Sequence, residues 1–151
     1  LPGYGQSSPV VWKGRVFLTA VDGPEKEKLY VVAVDAKSGS VAWKKEFAAT
    51  QKGKNNPMMS RAAPTPVVDA EGVYCLFESG DLLALSHDGG LLWNRSLVKD
   101  FGEIKNNHGL GSSLAQHSRA VFVQVDHGGP SYLMAVDKAT GDELWKAERP
   151  S

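Results

Sequence analysis

Four histidines, one cysteine and a scatter of loop carboxylates and amides are the groups in this 151-residue chain that could hold a metal or move a proton. Their spacing is unpromising. His87, His108, His117 and His127 show neither the His-x-His nor the His-x3-His pattern that presents two imidazoles to one metal. Asp126 beside His127, together with His108, makes one conceivable metal or acid–base cluster, against the simpler reading of solvated loop histidines. A lone cysteine, Cys75, excludes an internal disulfide and a Cys-based zinc cluster; inside the run Val73 to Phe77 it reads as a small core hydrophobe. The stretch from Asn106 to Ser112 is glycine-rich, but no helix follows it, so it is not a phosphate-cradling loop. Lys44, Lys45, Lys52, Lys54 and Arg61 face a single acid, Glu46, and could either steer an anionic partner or simply be a solvated loop. Met58 and Met59 beside Pro57 offer an adaptable apolar contact or an inward plug.

The elements that must position these groups come from the composition and from a repeat. With 42% hydrophobic and 23% charged residues the chain can bury a core. Lys plus Arg equals Asp plus Glu at 17 each, so no global field draws it to nucleic acid or to an anionic membrane. No stretch approaches the roughly 18 to 20 apolar residues of a membrane-spanning helix. The start Leu1-Pro2-Gly3-Tyr4 lacks a charged and then apolar leader and suggests a processed chain or a piece of something longer.

Trp43, Trp93 and Trp145 lie 50 and 52 residues apart, and each closes a similar phrase with a glycine four residues earlier: Gly39, Gly89 and Gly141. Three apolar runs precede each tryptophan, so each repeat reads as four short strands, A to D, rich in Val, Phe and Tyr and separated by Gly, Asp, Pro and Ser. No window shows a sustained helical period. The third run of each repeat is apolar without alternation, which requires cover on both faces. Four-stranded antiparallel sheets stacked around an axis supply that cover. The fold class is therefore all-β, a β-propeller of three blades, at about residues 6–46, 62–96 and 111–148 of a single propeller segment. Trp43, Trp93 and Trp145 on strand D are expected to wedge between blades. Asp35 and Asp137 are expected to cap the C–D turn amides, with Asp88 substituting where Ser86 replaces the aspartate, and Gly39, Gly89 and Gly141 to take positive φ.

The phrase from Ala135 to Trp145, Ala-Val-Asp-Lys-Ala-Thr-Gly-Asp-Glu-Leu-Trp, resembles the repeat of the pyrroloquinoline-quinone-like (PQQ-like) β-propellers, and the resemblance covers essentially the whole chain. That family holds quinoprotein dehydrogenases, an outer-membrane assembly lipoprotein and many exported proteins, typically with eight blades. The resemblance implies a periplasmic or cell-envelope location. It transfers no catalytic residue, because the matching positions are packing and turn residues. The enzymes pair a vicinal cysteine couple with the quinone, which Cys75 alone cannot supply, and a calcium set of Glu, Asn and Asp. Glu103, Asn55, Asn56, Asn106, Asn107 and Asp126 offer such donors in loops without a spacing that singles out a site.

Three blades leave two raw faces, because closed propellers use about four to eight. Either the chain is a fragment of a longer propeller, or identical chains join, blade 3 of one against blade 1 of the next. The D–A and B–C loops emerge on one face and carry the long variable segments, so Arg61, Asn107, His108, Asp126 and His127 are the ligand-binding candidates there. The leading function is a non-catalytic scaffold presenting that face to a protein or small ligand, with no cofactor; the alternative is a dehydrogenase fragment using PQQ and calcium. The expected partners are a protein, further blades or identical chains.

Overall fold

β-Branched and aromatic runs bounded by glycine and aspartate turns give strands, and the computed structural model of the chain, which describes residues 1–54, 57–58 and 61–150, arranges them as three four-stranded sheets. The first contains β1 (Val10–Trp12), β2 (Arg15–Asp22), β3 (Lys28–Asp35) and β4 (Val41–Ala48). The second contains β5 (Val67–Val68), β6 (Val73–Leu76), β7 (Asp81–Leu85) and β8 (Leu91–Ser96), and the third β9 (Ala115–His117), β10 (Ala120–Val125), β11 (Ser131–Asp137) and β12 (Glu143–Arg149). Each sheet is an antiparallel meander in chain order. A single helical turn, α1 (Leu97–Phe101), follows β8, with Ser96 Oγ accepting from the Lys99 amide. Five residues are too few to show a period, which is why the sequence does not reveal it.

Burial follows the order of strands. The third strands β3, β7 and β11 are largely buried, as their unbroken apolar runs require, whereas β4 and β12 are mostly exposed. The innermost strands meet through Thr65: its Oγ1 accepts from the Ser8 amide at 3.1 Å, its amide donates to Ser113 Oγ at 3.1 Å, and its carbonyl accepts from the Leu114 amide at 3.3 Å. Two hydrophobic layers fill the seams between sheets. Phe17, Val31, Ala33, Cys75, Leu83 and Leu85 form the first, and Tyr74, Trp93, Val121, Val123, Met134 and Val136 anchor the second.

Each sheet carries the same cross-strand row: Phe17–Ala33–Trp43, Tyr74–Ala84–Trp93 and Phe122–Ala135–Trp145. Immediately after the alanine the register shifts in all three, between Ala33 and Val34, Ala84 and Leu85, and Ala135 and Val136. Such a bulge bends the outer strand and re-aims the tryptophan. Trp43 and Trp93 do wedge between sheets: the Trp43 Nε1–H donates to the His87 carbonyl at 2.8 Å and that of Trp93 to the Lys138 carbonyl at 2.7 Å. Trp145 does not. It lies on the outer face of the third sheet, 44% exposed, with Phe122 as its aromatic neighbour at 5.9 Å.

The turn aspartates cap as expected. Asp35 Oδ1 accepts from the Lys37 and Ser38 amides and from Ser38 Oγ, and Asp137 Oδ1 from the Ala139 and Thr140 amides. The expectation for Asp88 is corrected: Ser86 itself does the capping, its Oγ accepting from the Gly90 amide at 3.0 Å, while Asp88 points outward to Arg15 at 3.3 Å. The turn is one residue shorter there, and the Ser86 hydroxyl serves the amide after the turn glycine, as the Ser38 and Thr140 hydroxyls serve the Ser40 and Asp142 amides in the other two sheets. Gly39, Gly89 and Gly141 take φ of +73°, +89° and +79°.

Candidate functional site

The loops joining β2 to β3, β6 to β7 and β10 to β11, and those joining successive sheets, interlock on one face. The tight turn after β2 starts with Asp22 Oδ1 accepting from the Gly23 amide at 2.8 Å and is closed by Glu27 Oε2 accepting from the Glu25 amide at 2.9 Å. The amide of Glu27 itself, followed by that of Glu25, holds the Glu27 carboxyl below its ordinary range. Lys26 at its tip, with φ of +54°, carries its ammonium across the seam to Glu78 Oε2 at 2.8 Å. Both side chains are only 8% exposed, and Glu78 Oε1 finds no donor among the described residues. Around this pair lies a small cavity of about 60 Å³, bordered also by Gln51, Ile104, Asn106 and Gly109.

The loop between the first and second sheets is stitched to both neighbours. Its Gly53 amide donates to the Glu25 carbonyl at 2.8 Å, and Thr50 donates its amide and hydroxyl to Asp81 at 2.8 and 2.5 Å. Gln51 and Ile104 exchange two hydrogen bonds, Nε2 to carbonyl and amide to Oε1, each 2.9 Å long. The partners are 53 residues apart in sequence, which no local pattern advertises. The basic segment is dispersed: Lys44 lies over Tyr30 at 5.5 Å, Lys52 pairs with Glu25 at 2.9 Å, and Arg61 stacks over Tyr4 at 4.9 Å. Met58 is 89% exposed, so it is no inward plug; Asn55, Asn56 and Met59 lie outside the described residues.

Of the candidate residues, the structure gathers Asp126 and His127 with the loop around Asn106. His127 Nδ1 accepts from the Lys105 amide at 3.0 Å while Nε2 faces the Pro130 carbonyl at 3.0 Å, so the tautomer with the proton on Nε2 satisfies both contacts. Asp126 takes Gln124 Nε2 at 2.6 Å and Arg149 at 3.2 Å, and its carbonyl accepts from Asn106 Nδ2 at 3.4 Å. The His108 amide donates to Asn106 Oδ1 at 2.9 Å, and Asn107 beside it is exposed. Arg61 stands with a different group: its amide donates to Gln6 Oε1 and its carbonyl accepts from the Gln6 amide, pinning the N-terminal segment.

These residues do not fit calcium. The Asp126 carboxylate is already neutralised by Arg149, Asn106 Oδ1 is bound to a backbone amide, and no group of three His, Cys, Asp or Glu side chains among the described residues could hold a metal. Cys75 is fully buried, and burial pushes its thiol well above the ordinary range.

A larger groove, about 470 Å³, opens on the opposite face between the second and third sheets, bordered by Asp69, Tyr74, Arg119, Asp137 and Lys138. Lys138 Nζ bridges Asp69 Oδ2 at 2.8 Å and Gln116 Oε1 at 2.9 Å and lies 5.7 Å over the Tyr74 ring. Burial raises the Asp69 carboxyl, but Lys138 and the Glu71 and Gly72 amides outweigh it and leave it below its usual range. Burial and the Asp69 charge push the Tyr74 phenol up to about 12. The sequence reading, which assigned ligands to the loop-rich face, missed this cluster, whose partners are 69 residues apart.

The whole chain, residues 1–151, matches the family described as outer membrane protein assembly factor BamB. The chain belongs to this family. Among solved structures it is similar to a europium-containing methanol dehydrogenase (TM-score 0.70, 15% identity, covering 95% of this chain and 24% of that one). It is similar also to the quinohemoprotein alcohol dehydrogenase ADHIIG from Pseudomonas putida HK5 (TM-score 0.68, 21% identity, 97% and 21% covered). BamB from Moraxella catarrhalis superposes with a TM-score of 0.60 at 18% identity, with 95% and 36% covered. At these identities the likeness establishes the propeller fold, and the chain spans between a fifth and roughly a third of the length of each structure. No curated protein sequence matches.

Proposed function

We propose that this BamB-family chain is a non-catalytic propeller segment of the periplasm or cell envelope that offers its D–A and B–C loop face to a protein partner. One observation carries the reading: polar side chains on that face are spent on neighbouring loops in the Gln51–Ile104 exchange and the Thr50–Asp81 clasp. Loops fixed in this way form a rigid surface with little to reorganise on binding, which favours recognition of a preformed partner. Asn107 and Lys105 lie exposed on it.

The test is a photo-crosslinking residue placed at Asn107, with Lys37 on the opposite face as control, in the full parent protein in its native envelope. A discrete protein adduct from Asn107 and none from Lys37 supports the reading; equal adducts from both overturn it. The dehydrogenase alternative draws on the two dehydrogenase structures, one of them a quinohemoprotein. It is read by titrating PQQ and calcium into the chain and following tryptophan emission, where saturable quenching would favour an enzyme fragment over a scaffold.

A further inference from the structure

A buried or half-buried backbone amide ordinarily finds a backbone carbonyl, but where two loops of this molecule meet an imidazole nitrogen takes the carbonyl's place. Lys105 lies in the loop between α1 and β9, and His127 in the loop between β10 and β11. The Lys105 carbonyl accepts from the Gly128 amide at 2.7 Å, as in an ordinary bridge between two extended segments. Its amide donates instead to His127 Nδ1, at 3.0 Å. The far side of the ring is fixed as well, because Nε2 lies 3.0 Å from the Pro130 carbonyl and carries the proton there.

The loop is shaped around the ring. A Cβ on Gly129 would come within 2.7 Å of His127 Cε1, 3.2 Å of Nδ1 and 3.4 Å of Nε2, so the imidazole is seated against bare backbone. The His127 amide donates to Ser131 Oγ at 3.2 Å and the His127 carbonyl accepts from the same hydroxyl at 3.3 Å, which fixes the backbone that carries the ring.

Both ring nitrogens are therefore committed, one as acceptor and one as donor, and only the neutral ring can play both parts. A second proton, on Nδ1, would set one N–H against another. Histidine is the side chain whose ordinary change of charge falls between about pH 5 and 8. The charged and titratable groups of the segments around the ring are Asp126 before it, Arg149 at the end of β12, and Glu103, Lys105 and His108 in the facing loop. Asp126 is held by Arg149 at 3.2 Å and Gln124 at 2.6 Å, and among the described residues no ion pair reaches the imidazole to hold its charged form.

We propose that His127 is a proton-operated latch on the loop that carries Lys105, Asn106 and Asn107. The neutral ring holds this loop against the third sheet, and protonation of Nδ1 releases the Lys105 amide. The Gly128 amide and Asn106 Nδ2, which donates to the Asp126 carbonyl at 3.4 Å, keep the loop tethered, so the change is a local opening and not an unfolding. Asn107, exposed on the same loop, carries it to the surface. The latch belongs to the chain itself and does not rest on what the loop face binds.

The test is solvent exchange of backbone amides by NMR on the 151-residue chain from pH 8 to pH 5, each rate corrected for its intrinsic pH dependence, alongside the titration of the His127 Cε1–H signal. Protection of the Lys105 amide is expected to fall by about tenfold or more, with the midpoint of the His127 titration. The neighbouring Ile104 amide, bound to Gln51 Oε1 at 2.9 Å, is the control and should hold. Two variants separate the latch from a general loosening in acid. His127→Asn supplies a neutral side chain whose oxygen can accept in place of Nδ1, so Lys105 protection should no longer depend on pH. Gly129→Ala drives a methyl group into the seat of the ring and should leave Lys105 poorly protected even at pH 8, with a thermal melt showing that the variant is folded. Lys105 protection that stays constant while His127 titrates overturns the proposal, and so does a fall that persists in His127→Asn.

Discussion

Trp93 leaves no room for a side chain on Gly141: a Cβ there would stand 2.7 Å from the indole. Gly39 has the same backbone conformation in open space. The pair separates two costs that usually arrive together, the strain of a positive φ and the clash with a neighbour. Gly39→Ala should cost about 1 kcal/mol, the strain alone. Gly141→Ala adds overpacking and should cost about 2 to 4 kcal/mol. Urea unfolding reads both, and equal losses would mean that the indole gives way.

The three tryptophans should differ in the same sense. Trp93→Ala removes a buried ring and its hydrogen bond to the Lys138 carbonyl and is expected to cost about 3 to 5 kcal/mol. Trp145→Ala in the 151-residue chain removes a half-exposed ring and should cost about 1 kcal/mol or less. A Trp145 variant as damaging as the Trp93 variant would place Trp145 within the fold of the single chain.

The Lys26–Glu78 pair predicts a strong asymmetry between single and double changes. Removing either partner takes a charge-assisted contact of 2.8 Å from a buried charge, so Lys26→Met or Glu78→Leu should each cost about 3 to 5 kcal/mol. Both changes together should restore much of that loss, since two apolar side chains need no partner in the cavity. A double-mutant cycle by chemical denaturation measures the coupling, and additive losses would mean that the pair is well solvated.

Acid should weaken the turns. The Ala139 amide, followed by Arg119, holds the Asp137 carboxyl below its ordinary range, and the Ser38 amide and hydroxyl do the same for Asp35. A carboxyl lowered in the folded state contributes stability that is fully present above its unfolded value of roughly 4 and is lost as pH falls through the folded value. The thermal midpoint should therefore hold between pH 7 and 5 and fall below pH 4. Asp137→Asn should lower the midpoint at pH 7 and flatten this acid limb; an unchanged limb would assign the acid sensitivity to other carboxylates.

Cys75 reports on opening of the first seam. Fully buried, with its thiol pushed up by desolvation, it should react with a water-soluble disulfide reagent only through unfolding. Labelling should be slow in buffer and complete in denaturant; rapid labelling of the native chain would mean that the first two sheets separate readily.

The repeats were readable because their physics is local: a capped turn, a glycine at positive φ and an outer-strand tryptophan recur at fixed offsets from one another. What escaped the sequence depends on sheets meeting. Lys26 finds Glu78, and Lys138 finds Asp69, across 52 and 69 residues, so neither pairing leaves a spacing to recognise. His127 looked like a ligand because its residue type is versatile, and only the fold shows both ring nitrogens serving backbone groups. Asp88 resembles a cap because it is a carboxylate near a turn, yet in the shorter turn it faces Arg15, and the hydroxyl of Ser86 serves the Gly90 amide.

The placement of each tryptophan and its glycine partner in successive sheets bears on how such a chain can grow. A copied segment of one repeat brings its own indole at one edge and its own turn at the other, so it mates with the original on both sides without any compensating substitution. Gene duplication in phase with the repeat thus yields a longer array whose new seam repeats the row and the turn of the old one.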